Sequence, residues 1–184
     1  AYLNGPRASI SASLKAYELS KYLSPNLVVI SLGNLIKNKI QYCNYEEMIG
    51  LINILESLLE DIKFDYFLYS GYRRLAISYL SYGKLNDLER IIQKLEEIKN
   101  IKESEILVKI LKTFLNKEYD ISEEEVLNTK EEQIITLYMK LSAGRGFDLS
   151  KSLREYPTDF PLHVFLKGFI LRESFFNLIG YIDE

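Results

Sequence analysis

Between Tyr72 and Asn100 the chain runs YRRLAISYLSYGKLNDLERIIQKLEEIKN, two apolar-striped stretches that meet at Gly83. Stripes of this spacing belong to helices, and a turn so short forces the two helices to lie antiparallel with their stripes facing. One hairpin cannot bury both faces alone, so the flanking sequence must supply neighbours. It does: helical periodicity recurs along nearly the whole chain, with turn residues between the periodic runs.

The first run spans Pro6 to Leu23, with Ile10, Leu14 and Tyr17 on one face. Ser24 and Pro25 then form an N-cap and a first-turn proline, opening a helix that reaches about Tyr42 through Leu32, Leu35, Ile36 and Ile40. Within it, NLVVISLGN at Asn26 to Asn34 also fits a buried strand ending in a Gly turn, although no G-x-G-x-x-G follows. Asn44 with Glu47 marks a capping box for a helix to about Asp61, striped by Met48, Leu51, Ile52, Leu55 and Leu59. Phe64–Tyr82, Leu85–Lys99 and Glu103–Lys117 follow, then a short segment capped by Ser122 and a run from Glu131 to Ala143. A short helix capped by Asp148 ends before Pro157, and a last one capped by Asp159 runs to about Phe176. The expectation is an all-α chain of about ten helices, a single helical-repeat domain over residues 1–184. A closed helical bundle would bury similar stripes and stands as the alternative.

Of the 184 residues 47% are hydrophobic and 27% charged, enough for a sizeable core. A net charge of −3 argues against a broad nucleic-acid footprint, which requires a basic face. Cys43 is the only cysteine, so no intrachain disulfide forms, and it reads as a small buried hydrophobe. The start AYLNGPRASIS lacks a charged leader followed by an apolar stretch, and no window of about twenty apolar residues occurs; a cytoplasmic protein without a membrane span is expected. The absence of an initial Met fits a piece of a longer chain. Abundant Lys and Glu with three Gln suggest a thermophilic archaeal source, whereas eleven Asn fit low-GC coding.

Nothing in the chain demands a reaction, and no enzyme activity, metal or cofactor is expected. His163 is the only histidine, so the usual zinc ligand sets cannot be assembled. The acidic clusters Glu46-Glu47, Glu123 to Glu125 and Glu131-Glu132 fall in first helical turns, where carboxylates complement the macrodipole. The loop SAGRGF at Ser142 to Phe147 has the glycines of a phosphate cradle but not the Lys and Ser/Thr of a P-loop.

Tyr72, Leu75, Ala76 and Tyr79, with Gly83 at the turn and Leu85 after it, resemble the first-helix pattern and turn of a tetratricopeptide repeat. Leu88 and Leu95 stand where that family carries small residues, and Asn100 stands where it closes with proline. The resemblance implies a divergent right-handed solenoid of αα-hairpins that binds protein or peptide along a concave face of first helices. On that face it places Ser70, Arg73, Ile77 and Leu80, and the candidate partner-binding residues are Lys37, Arg73, Arg74, Ile77 and Lys140. Ile77 replaces the Asn of the carboxylate clamp, which leaves a mixed basic and apolar groove suited to an acidic amphipathic peptide. Solvated arginines with buried stems are the plainer account of Arg73 and Arg74. Phe169, Phe175 and Phe176 form a candidate homo-oligomer interface or the cover of the last helix. Two other functions fit the same sequence: a regulatory or sensory domain of a larger DNA-binding or ATPase protein, and a self-assembling structural protein.

Overall fold

In the computed structural model, residues 5–40, 42–115, 121–129 and 131–143 are described, and every regular element among them is a helix. The order is α1 (Gly5–Ser20), α2 (Pro25–Lys39), α3 (Tyr45–Leu59), α4 (Asp65–Ser81), α5 (Leu85–Glu96), α6 (Lys102–Phe114), α7 (Glu123–Leu127) and α8 (Glu132–Ala143). These are eight of the ten expected helices. The Asp148- and Asp159-capped segments, the SAGRGF glycines, His163, Phe169, Phe175 and Phe176 lie outside the described residues. The chain divides into two compact units at Ile121–Ser122.

The boundaries come from the caps. Ser24 Oγ accepts the Leu27 amide at 3.4 Å and Pro25 occupies the first turn, so Asn26 to Asn34 is helix rather than strand. Asn44 Oδ1 accepts the Glu47 amide at 2.9 Å, with Glu46 and Glu47 in the first turn of α3. Ser122 Oγ accepts the Glu125 amide at 3.1 Å and starts α7. At the end of α4, Gly83 adopts φ 65°, a left-handed conformation that costs a side chain but not glycine. Its amide donates to Leu80 O at 3.2 Å and the Lys84 amide to Tyr79 O at 2.8 Å, the paired bonds of a Schellman stop.

In the first unit each helix packs on the next, and α2 also packs on α4 and α4 on α6. Helix α4 is therefore central, touching α2, α3, α5 and α6. Its interior set accordingly goes most of the way round the helix: Tyr69, Gly71, Arg74, Leu75, Ala76, Ser78 and Tyr79 are all buried. Met48, Ile52, Leu55 and Leu59 of α3 and Leu88, Ile91, Ile92 and Leu95 of α5 close on it from either side. Each such aliphatic side chain, fully withdrawn from water, contributes roughly 1.5–3 kcal/mol.

Two close approaches set the spacing. Gly71 of α4 faces Leu59 of α3 so tightly that a Cβ there would stand 2.8 Å from Leu59 Cδ1 and 3.0 Å from Cγ. Ser20 Oγ of α1 and Ser31 Oγ of α2 lie 2.6 Å apart, and Asn38 Nδ2 donates to Ser13 Oγ at 2.5 Å along the same seam. Asn100, at the expected proline position, donates to Asp65 Oδ2 at 2.7 Å and so ties the α5–α6 turn to the start of α4. In the second unit Val126 of α7 and Ile134, Ile135, Leu137 and Met139 of α8 are buried.

Candidate functional site

The residues expected to bind a partner fall in different environments. Arg74 is an interior residue, 5% exposed, with its Cγ and Nε 3.8 Å from where a Cβ would stand on Gly33 of α2. The arginine stem thus lies against Gly33, at a distance where a methyl there would make ordinary contact with it. Arg73 is half-buried, its guanidinium carbon 5.2 Å from the centre of the Tyr69 ring, a cation–π distance. Ser70, Arg73, Ile77 and Leu80 form one stripe of half-buried residues along α4. Lys140 lies in α8, in the other unit, and its side chain is outside the described residues.

Lys37 belongs to a different feature, an open groove of about 590 Å³ along α1 and α2. Ser9, Ser13, Ala16 and Ser20 line it from α1, at the i, i+4, i+7, i+11 spacing of one straight helical face, and Leu23 lines it from the turn that follows. Leu27, Ile30, Asn34 and Lys37 line it from α2. Leu19, Leu23 and Leu27 at the α1–α2 turn are 59%, 69% and 46% exposed, a concentration of apolar surface unlike the buried stripes elsewhere. Leu14, expected inward with Tyr17, is likewise exposed, because α1 packs chiefly on α2 and only one of its faces is covered.

The first hairpin also differs in charge. From Gly5 to Lys39 the chain carries Arg7, Lys15, Lys21, Lys37 and Lys39 against Glu18 alone, in a protein that is acidic overall. Lys21 pairs with Glu18 at 2.9 Å and lies 4.5 Å over the Tyr17 ring, on the side of α1 away from the groove. Lys15 is exposed and sits one turn from both Ala12 and Leu19, which line the groove. Among the described residues no carboxylate lines it.

Elsewhere the polar contacts tie helices together. Tyr82 Oη donates to Cys43 O at 2.9 Å and its ring meets Tyr45 edge-on at 5.5 Å, locking the start of α3 to the end of α4. Cys43 is half-buried, and burial followed by its contact with Glu47 pushes the thiol above its ordinary range, away from the reactive thiolate. Among the described residues no three His, Cys, Asp or Glu side chains are placed to share a metal, and no helix is long and apolar enough to cross a membrane.

Comparisons with family models, with curated proteins and with solved structures give no match to the chain.

Neither the groove nor the burial of Arg74 is visible in the sequence pattern. The small residues of α1 give no apolar signal, although their regular spacing from Ser9 to Ser20 was there to find. The excess of basic residues before Lys39 was also readable, but the net charge of the whole chain hides it.

Proposed function

We propose that the chain is a non-catalytic, tetratricopeptide-like helical-repeat scaffold that binds protein or peptide along its first helices. The observation that carries this is the layering of the first unit. Helix α4 packs on both α2 and α6, and α3 and α5 connect them and pack on their sequence neighbours, as consecutive hairpins would. Stacked hairpins present one long face built from alternate helices, and such faces suit extended or helical peptides. On α4 that face is the stripe of Ser70, Arg73, Ile77 and Leu80. On α2 the same positions, 39 residues earlier, are Ser31, Asn34 and Asn38, which line the groove beside Lys37.

The test is selection of displayed random 16-residue peptides on the immobilised full chain. A binding scaffold enriches related sequences that compete with one another in solution. If repeated rounds enrich nothing above a blank support, the binding function is wrong. Arg73→Glu, with its helical circular dichroism intact, reports whether α4 takes part: a fivefold or greater loss of affinity places the peptide there, and unchanged affinity moves the site off that helix.

A further inference from the structure

Resting on the binding function proposed above, we infer that the groove between α1 and α2 is the docking site for an acidic amphipathic helix of a partner protein. The fold itself contains the template. Shifted by 39 residues, Ser9, Ser13, Ala16 and Ser20 of α1 and Leu23 just after it become Met48, Ile52, Leu55 and Leu59 of α3 and Ile62 just after it. Those five are all buried, at 0%, 0%, 0%, 2% and 7% exposure, because α2 and α4 both pack on α3. In α1 the same face has α2 on one side and the open groove on the other. The groove is therefore the place that a helix occupies one layer further along the chain.

Size and chemistry narrow the occupant. Large apolar residues line the filled position on α3, whereas Ser9, Ser13, Ala16 and Ser20 put small residues at the matching positions of α1. A helix entering here approaches closely and supplies the large side chains itself, as leucine-type knobs over a small-residue floor. The groove face of α1 runs from Ser9 to Ser20, about 16 Å at the helical rise, which matches an incoming helix of about three turns. Exposed Leu19, Leu23 and Leu27 give its apolar stripe a second wall. Among the described residues Lys37 lines the groove on the α2 side, Lys15 flanks it on α1, and no lining carboxylate opposes an incoming Glu or Asp. A carboxylate on each flank of the stripe meets a lysine on either side, and this charge match favours an acidic helix over a basic one.

The experiment uses the full chain and a displayed library of 16-residue helices with leucine at one i, i+4, i+7, i+11 stripe and Glu, Lys or Gln randomised at the flanking positions. Selection is expected to enrich Glu at the flanks. The winning peptide should then lose at least tenfold in affinity to Ala16→Trp, which fills the groove from an exposed position, and about threefold or more to Lys15→Glu combined with Lys37→Glu. Ala12→Trp repeats the block from a second exposed site, and circular dichroism checks that each variant stays folded. Enrichment of Lys or of no charge, or affinity unmoved by both tryptophans, overturns the docking site while leaving the scaffold function standing. A single-stranded oligonucleotide that outcompetes the peptide at the same lysines overturns it in favour of nucleic acid. An apparent mass that doubles with concentration and reverts on Ala16→Trp overturns it in favour of a second copy. Peptides that enrich on random selection but never from this library have the same meaning as unmoved affinity: binding occurs elsewhere.

Discussion

Tyr79 Oη donates to Glu56 Oε2 across 3.2 Å, joining the central helix α4 to α3 where the tyrosine ring is sealed from water. Arg90 of α5 donates to the other oxygen of the same carboxylate and also reaches Asp87 at 3.3 Å. One glutamate thus gathers three helices.

The tyrosine makes alkaline stability a readout of this tie. Burial, then the charge of Glu56, holds the Tyr79 phenol above its ordinary value of about 10. The native state keeps the proton after the unfolded chain has released it, so the contribution is complete below about pH 10 and is lost as pH climbs beyond it. Urea unfolding is expected to weaken from pH 9.5 to 11, by up to about 1.4 kcal/mol per pH unit from this one group. Burial pushes Tyr45, Tyr72 and Tyr82 in the same direction, so Tyr79→Phe should reduce the slope without abolishing it. An unchanged slope in that variant would remove Tyr79 from the account.

Arg90 tests the other arm. Its side chain is 50% exposed and that of Glu56 24%, so solvent screens the pair and Arg90→Ala should cost only about 0.5–1 kcal/mol. Glu56→Gln keeps an acceptor for Tyr79 but not the charge. A double-mutant cycle of the two substitutions, followed by chemical unfolding, should show positive coupling that shrinks in 1 M salt; additive losses would mean that the ion pair is idle.

Gly71 and Leu59 test packing. Gly71→Ala puts a methyl inside the contact radius of Leu59 and should destabilise the first unit by about 1–3 kcal/mol through overpacking. Leu59→Ala alone leaves a cavity and costs about 2–5 kcal/mol. The two together should cost less than their sum, because each relieves the other. Strict additivity in thermal or urea unfolding would show that the two helices do not meet as described.

The α4–α5 turn gives a fourth outcome. Gly83→Ala forces a side chain into the left-handed region and should lower stability by about 1–2 kcal/mol. Gly83→Asn, which tolerates that region better, should lose less. Open space surrounds Gly83, so a clash cannot account for the difference.

The helices were legible wherever a cap or a stripe is strong. Ser24, Asn44, Ser122 and Gly83 act locally, and each does in the fold what its sequence context predicts. Met48, Ile52, Leu55 and Leu59 were readable as a stripe because α3 is covered on one face. Helix α4 was harder, since four neighbours surround it and its interior includes Arg74 and Ser78 beside the apolar residues. An arginine next to Arg73 reads as surface until the packing of α2 on α4 is known. The exposure of Leu14 and the groove beside it depend on which faces remain uncovered, a tertiary fact that periodicity does not encode.

Neighbour-only packing in the first unit has a mechanical consequence. The chief contacts join helices one or two places apart along the chain, so ordering can spread from one hairpin to the next without first closing a long loop. Strain introduced at α6 must be relayed through α4 and α2 before it reaches α1.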